Sequence, residues 1–541
     1  MPKTIKNQIR DLIYAYSRGV SFDILIPPND EMGDYSTNVA FSLSKVEKKS
    51  SVECADNMKE KLDKDSDLTD YIEKIEISPA GFINFFLKKE YLFQNLKNII
   101  SQKNKFADLD IGKGERINLE FVSANPTGPL TVGNARAASY GDALGNIFRK
   151  AGYDVCKEYY INDVGAQVEK LGESVLKALR DEDISEGDDL YHGGYISAIA
   201  EKIKAQNIEI PEDYQSAIIV CKNFAVAEMI QAARNSISSL GVQFDTWFSE
   251  SSLHENGEVS SVFEFLKSEN LAYEKEGAWW FRVSRYVAGQ DDAVIVKSNG
   301  DASYLLGDMA YTKNKTVKRG FDRAINIWGT DHHGDVPRLK AGAMALGIAE
   351  NQLEVLLHQL VFIKRGGELV RMSKRKGNFV LLDDLLADVG RDAARFFFLM
   401  HDLNTHMEFD IDLAQERSKK NPVYYAQYAY ARSQSIFEKI PGLEIQTDTL
   451  EELESEEEFS LLRHMAKFPD LLADISQSYQ VHHLGQYALE LANKFHKFYE
   501  TNKVIGENTN LQSARLALVS GIADILKICF GLMGISAPEK M

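Results

Sequence analysis

Residues 117–150 constrain the fold more than any other stretch of the chain. Ile117-Asn-Leu-Glu-Phe-Val122 is a short apolar run that reads as a strand. It leads into Ser123-Ala-Asn-Pro-Thr-Gly-Pro-Leu-Thr-Val-Gly-Asn134. There Pro126, Gly128 and Pro129 make a rigid turn, and Gly133 lets a backbone or a flat ring approach closely. A helix follows from about Ala135, where Ala135, Ala137, Ala138, Gly141 and Ala143 permit close packing. Strand, glycine-bearing loop and helix, in that order, form the opening unit of a doubly wound nucleotide-binding fold. The loop alone serves equally well as a plain strand-to-helix turn, because short motifs recur by chance. It is not a Walker-type phosphate loop, since no Gly-x-x-x-x-Gly-Lys-Ser/Thr occurs.

The segment Lys364–Asn378 points the same way. It gathers Lys364, Arg365, Arg371, Lys374, Arg375 and Lys376 against Glu368 alone, between glycines Gly366, Gly367 and Gly377. That is the composition of a mobile basic loop able to close over a polyphosphate. A solvated basic hairpin is the competing interpretation, and the first motif tips the balance against it. The formal net charge of the chain is −18, so its overall field opposes a polyanion. Any nucleic-acid surface must therefore be local.

At 541 residues the chain is too long for one ordinary core, and two or three domains are expected. Residues 1–108 mix two helical patterns with a strand-like Gly81-Phe-Ile-Asn-Phe-Phe-Leu87, and Ser101–Asp108 reads as a charged linker. The first helix is amphipathic through Ile5, Ile9, Leu12 and Ile13, and has the character of neither a signal peptide nor a mitochondrial leader. Further strands fit Ala293-Val-Ile-Val-Lys297 and Arg323-Ala-Ile-Asn-Ile-Trp328; the polar stretch 180–215 reads as an insertion. From about residue 410 the pattern is helical, with an acidic run Glu451–Glu458 expected to be a solvated helix start or loop. No run of 18 apolar residues occurs, so no membrane span is expected. Cys54, Cys156, Cys221 and Cys529 are scattered, which suits a reducing cytoplasm rather than a disulfide framework or zinc knuckle.

Other motifs weigh less by themselves. Gly329-Thr-Asp-His-His-Gly334 follows a strand; adjacent histidines diverge, so a nucleotide- or substrate-contacting loop is favoured over a metal site, and no metal ligand set is expected. His482-His483 reads as helix surface or core, and Trp279-Trp-Phe281 as a core strand.

The segments Ser123–Asn134 and Arg371–Asn378, in this order, resemble the HIGH and KMSKS signatures of class I aminoacyl-tRNA synthetases. Glu158-Tyr-Tyr-Ile-Asn-Asp-Val-Gly165, Trp247-Phe-Ser-Glu250, Gly277-Ala-Trp-Trp-Phe-Arg282, Tyr304-Leu-Leu-Gly-Asp308, Gly329–His333 and Asn421-Pro-Val-Tyr-Tyr425 sharpen it. So do Gly33-Asp-Tyr-Ser-Thr-Asn38 and the terminal Gly534–Met541. Over essentially its whole length the chain resembles the bacterial-type arginyl-tRNA synthetases. The resemblance implies an α/β Rossmann-type (HUP) parallel-sheet catalytic domain over 109–400. It also implies an α+β domain over 1–108 that touches the tRNA elbow, and an all-α anticodon-binding bundle over 401–541. The implied reaction joins L-arginine to tRNA-Arg through an arginyl-adenylate, with ATP as substrate and Mg2+ brought by the polyphosphate. The first step generally needs tRNA in this family. A monomer is expected.

Site residues carry over position by position. Lys374 matches the second signature lysine and should hold the departing pyrophosphate; Arg371 stands where lysine is more usual, and Lys376 is a helper. ATP contacts are implied at Pro126, Gly128, Thr131, Gly133, Asn134, Asp331, Met372, Ser373, Lys374 and Lys376. Arginine contacts are implied at Ser123, Asn125, Asn134, Glu250, Tyr304, Asp308 and His332. A planar cation with five donors calls for carboxylates, which Glu250 and Asp308 supply. Contacts with tRNA are implied at Asn84, Tyr425, Ala429 and Met541. The two HIGH histidines are Thr131 and Asn134 here, neutral hydrogen-bonding groups with catalytic roles to fill. That departure keeps alive a tRNA-binding paralogue without catalysis. A small-molecule nucleotidylyltransferase is the other alternative, and the helical region beyond 400 argues against it.

Overall fold

The computed structural model describes residues 4–541 apart from 28, 66–67, 183–188, 371–379, 443 and 507. At its centre lies a five-stranded sheet of β1 (Arg116–Phe121), β2 (Asp154–Ile161), β3 (Thr246–Ser249), β4 (Arg323–Gly329) and β5 (Leu353–His358). The order is β5-β4-β1-β2-β3 and every pairing is parallel. β1 is buried along almost its whole length, as expected of a strand covered on both faces. The chain runs from β1 outward to β3 and returns on the other side of β1 as β4. That reversal opens a crevice beyond the carboxyl ends of β1 and β4, where such sheets bind ligands.

Helix α1 (Val132–Lys150) follows β1 and explains its own small residues. A Cβ on Gly141 would strike the Phe121 ring, and one on Gly145 would strike the Lys157 side chain. The expected strand at Ala293 exists but lies elsewhere. Ala293–Val296 pairs antiparallel with Ala278–Phe281, which pairs with Ala272–Lys275. Apolar patterning marks a strand without naming its partner, so the sequence could not assign it to this separate sheet. Helix α2 (Tyr214–Ser239) and the helices Ala166–Leu179 and Gly194–Ala205 enclose a small core of their own, which accounts for the insertion-like stretch.

The N-terminal part is a four-stranded antiparallel sheet with helices Ile5–Tyr16, Val39–Glu47 and Ser51–Leu62 against it, more helices than the patterning shows. Gly33 adopts φ 92° where a side chain would press on the Phe85 carbonyl. Ser101–Asp108 is no free linker. Ser101 and Gln102 close the helix Lys89–Gln102, and the Phe106 ring stacks on Phe468 at 6.5 Å between centroids.

The helices Glu456–Ala466 and Phe468–Ser478 join α4 (Pro422–Glu438), α5 (His482–Thr501) and α6 (Thr509–Met533) in the C-terminal bundle. By length and composition α2 and α6 could each cross a membrane; α6 instead buries most of its apolar residues in the bundle. The acidic run is a helix start, but Glu458 is not solvated. Its carboxylate accepts from the Glu454 and Ser455 amides at 2.8 Å each and pairs with Arg515 Nε at 2.7 Å.

One buried cluster joins these parts. Arg395, on α3 (Leu382–Leu399), donates from Nε to the Met533 carbonyl at 2.7 Å and from its guanidinium to Asp142 at 2.6 Å. Asp142 also takes Lys157 Nζ at 2.7 Å, and Lys157 reaches Asn146 at 2.7 Å, which donates to the Leu532 carbonyl at 3.1 Å. All three charged side chains are buried. Asp142→Leu would strand two cations inside, so we expect a loss of roughly 3–5 kcal/mol, read as a lower urea midpoint. A midpoint unchanged from the parent would remove this cluster from the account of the fold.

Candidate functional site

The site forms where the parallel strands end. After Phe121 the chain turns sharply: Val122 has φ 72° and Ser123 φ 39°. Positive φ is costly for a β-branched residue, and such strain gathers where a loop must be aimed. Ser123 is held there, its Oγ accepting from the Tyr160 amide at 3.1 Å. Asn125 donates to Gln167 Oε1 at 2.7 Å, and Tyr195 donates to the Thr127 carbonyl at 2.9 Å beside Gly128. Pro126 and Gly128 line a small cavity walled by Tyr159, Met229 and Trp247.

Thr131 precedes α1 and Asn134 lies in its first turn. Asn134 Oδ1 accepts from the Thr131 amide at 2.9 Å and from Thr131 Oγ1 at 3.0 Å. The two residues that replace histidines thus brace each other at a helix N-terminus, a place suited to anions. A Cβ on Gly133 would meet only Thr131 Oγ1, at 3.7 Å, so the space over Gly133 is open. Two backbone hydrogen bonds tie this loop to the chain just after the second signature: Val132 N to Val380 O at 3.2 Å and Leu382 N to Leu130 O at 2.9 Å. Arg371, Met372, Ser373, Lys374 and Lys376 lie outside the described residues.

Two carboxylates meet across the crevice. Glu250 follows β3, and its Oε1 stands 3.2 Å from where a Cβ on Gly307 would be, next to Asp308. With its amide nitrogen turned toward the acceptors, Asn162 donates to Glu250 Oε2 at 3.0 Å. The Tyr160 hydroxyl also bonds Glu250, and His254 Nε2 lies 3.8 Å from it. Asp163 braces the turn, accepting from the Ser251 amide at 2.9 Å and from Ser249 Oγ. Burial pushes the Glu250 carboxyl up to about 7, with Asp163 adding to the effect and Tyr160 opposing it. Burial, then Glu120 and Glu250, hold Asp308 well above the ordinary carboxylate range. A pocket with two carboxylates this reluctant to ionise alone is suited to a multidentate cation.

Tyr304 opens the helix Tyr304–Lys313, one turn before Asp308, and is 55% exposed at the pocket mouth. Asp331 and His332 form a turn after β4; both are exposed, and His332 Nδ1 lies 3.3 Å from Asp335. Ser123, Asn125, Thr131, Gly133 and Asn134 thus follow β1, Glu250 follows β3, and Tyr304 and Asp308 lie within reach of the Glu250 charge. Sequence patterning missed Tyr160, Asn162, Asp163 and Gln167, although the first three stand in the Glu158–Gly165 motif.

The residues matched to tRNA lie apart. Asn84 is buried in the N-terminal sheet, taking the Ser36 hydroxyl at 2.7 Å. Ala429 is fully buried on α4, Tyr425 packs on His496 at 4.5 Å between centroids, and Met541 is exposed. Tyr424 and Tyr428 stack at 6.3 Å, and Arg432 lies over Tyr428.

Family comparisons agree along the chain. Residues 1–87 match the arginyl tRNA synthetase N terminal domain. Residues 95–415 match the class I (R) tRNA synthetase catalytic domain, and residues 426–541 the DALR anticodon binding domain. The arginine--tRNA ligase of Carboxydothermus hydrogenoformans is 42% identical over 537 residues, covering 96% of this chain and 94% of its own. That of Bacillus subtilis is 40% identical over 530 residues, covering 96% and 94%. The solved arginyl-tRNA synthetase of Thermus thermophilus superposes with a TM-score of 0.81 at 20% identity, over 99% of this chain and all of that one. With its catalytic core matched across more than half its length and full-length relatives this similar, the chain belongs to the class I arginyl-tRNA synthetase family.

Proposed function

We propose that the crevice at the carboxyl ends of β1 and β4 activates L-arginine with ATP and passes it to tRNA-Arg. The observation that carries this is the pairing of Glu250, which follows β3, with the helix turn that bears Asp308. The two carboxylates grip the guanidinium, whose planar fork binds carboxylates with several parallel bonds as an ammonium cannot. Tyr304 closes the pocket mouth. Ser123, Asn125 and Asn134 then orient the arginine backbone groups, with His332 near them, so that its carboxylate faces the α-phosphate of ATP.

ATP lies over Gly133, with its phosphates toward the N-terminus of α1 and toward Asp331. Attack by the arginine carboxylate forms the adenylate and releases pyrophosphate. Such a displacement needs positioning and charge neutralisation more than a covalent nucleophile. Thr131 and Asn134 supply neutral hydrogen bonds only. The cationic part therefore falls to Lys374, with Arg371 and Lys376 beside it and Met372 and Ser373 completing the loop. In support, the Val132 amide donates to the Val380 carbonyl and the Leu382 amide to the Leu130 carbonyl, so the residues that follow this signature in sequence lie against the start of α1. Mg2+ comes as the counter-ion of the nucleotide phosphates. The terminal adenosine of tRNA then attacks the activated carbonyl and AMP leaves.

The working division of labour is 1–108 for the tRNA elbow, with Asn84 in its sheet, 109–400 for chemistry and 401–541 for the anticodon. In this account the protein works as a monomer in the cytoplasm, without a membrane.

The decisive assay is arginine-dependent ATP–pyrophosphate exchange with and without tRNA-Arg, with lysine as control. Asp308→Asn removes one charge-assisted contact worth roughly 2–5 kcal/mol, so KM for arginine should rise about thirtyfold or more. Unchanged arginine kinetics would move the pocket elsewhere. Lys374→Ala should slow adenylate formation by roughly 10²-fold while tRNA affinity stays near the parent's, because the lysine acts on charge that develops in the transition state. A defect confined to tRNA binding would instead favour a non-catalytic relative. Tyr425→Ala should weaken charging and blur discrimination among tRNA-Arg transcripts with altered anticodons, since base stacking contributes about 1–3 kcal/mol. If the variant discriminates as the parent does, Tyr425 is packing alone.

A further inference from the structure

Tyr304, Asp308, Tyr311, Lys315 and Arg319 recur at helical spacing and share one face. Past Lys313 the helix continues as a π-helical segment, Asn314–Lys318, a form that concentrates at functional sites. Tyr304 and Asp308 reach the arginine pocket; the other three run beneath it. There Glu120 of β1 and Glu158 of β2 stand opposite each other in the parallel register, and both are buried. Neighbouring carboxylates inside a sheet cannot both stay charged without cations. Lys315 Nζ lies 2.6 Å from Glu120 Oε2, 2.9 Å from Asn326 Oδ1 and 4.0 Å from the centroid of the Tyr311 ring. Arg319 clamps Glu158 with both terminal nitrogens, and Tyr311 donates to the same carboxylate at 2.5 Å.

Asp308 is therefore faced by Glu120 from β1, Tyr160 from β2, Glu250 from beyond β3, Asp335 from the turn after β4, and Lys315 from its own helix. Of these, Lys315 is the cation. We propose that Lys315 is the resident counter-ion of the arginine pocket, a positioning residue that sets how much negative charge Asp308 and Glu250 offer to the guanidinium. The proposal rests on the assignment of that pocket to arginine. With Lys315 in place, the charge of Glu120 is balanced before its field reaches Asp308. Without it, Glu120 pushes Asp308 further toward its protonated form, which offers the guanidinium a hydroxyl in place of one acceptor. Lys315 itself, 1% exposed at its side chain, stays clear of the substrate.

The test is the pH dependence of KM for arginine in tRNA charging by the full-length protein. A one-unit rise in the pKa of a group that must be charged costs about tenfold in the charged fraction. Lys315→Met should therefore raise KM for arginine about tenfold at neutral pH, with kcat and KM for ATP within about twofold of the parent. The defect should shrink as the pH rises. Glu120→Gln/Lys315→Met removes the pair together and should restore both KM and its pH profile, since a buried pair can be replaced without a stranded charge. If Lys315→Met is insoluble, Glu120→Gln alone decides: Asp308 then faces an unbalanced cation, and the KM profile should move to lower pH. A KM for arginine and a pH profile unchanged in the soluble single variants overturn the proposal. So does a defect that is flat with pH and not repaired in the double variant, which would leave Lys315 a packing residue. Failure of Asp308→Asn to raise KM would instead overturn the pocket assignment.

Discussion

A parallel sheet puts all its strand ends on one side, and every group assigned to the chemistry depends on that. β1 delivers the Ser123–Asn134 loop, β2 delivers Asn162 and Asp163, β3 delivers Glu250 and β4 delivers the Thr330–His332 turn. The strands are short, so small changes in register would part the carboxylates. What fixes the register is largely polar. Asp163 locks the turn after β3, Ser123 is bonded to the backbone of β2, and Glu120 and Glu158 are pinned by cations from one helix. Such groups are costly when any member is unpaired, so they tolerate one alignment and penalise its neighbours.

Much of the architecture was legible because it rests on local rules. The strand, proline-glycine turn and small-residue helix of 117–150 follow from propensity and packing. Tyr304 and Asp308 were reached through the family resemblance, not through patterning. What stayed hidden depended on partners distant in sequence. Glu120 sits in a run that reads as apolar, and only the β1–β2 register sets it against Glu158. Lys315 has the look of one more lysine on a basic helix until the sheet is laid under it. Glu458 belongs to an acidic run that patterning assigns to solvent, yet Arg515 meets it in the bundle interior. The strand Ala293–Val296 was recognisable as a strand, but alternation does not say which sheet a strand joins. Asn162 stood in a quoted motif, yet its grip on Glu250 is a matter of rotamer and backbone turn.

Thr131 and Asn134 stand at the positions matched to the two signature histidines. Their side chains are used on each other, which stiffens the helix start, and the open space above Gly133 is kept. The first signature thus offers hydrogen bonds without a cation, and residues 380–382, which follow the second signature in sequence, are hydrogen-bonded to it.

The cluster around Arg395 has a consequence for how the chain is made. A ribosome releases Asp142 and Lys157 early, Arg395 much later, and the Leu532 and Met533 carbonyls later still. Until then the arginine has no acceptor for its Nε, and α1, which carries the first signature at its head, lacks the brace at its tail. Domains generally fold as units during synthesis, amino-terminal first. A nascent chain that stops short of residue 532 would hold the first signature without the bonds from Arg395 and Asn146 to the Met533 and Leu532 carbonyls.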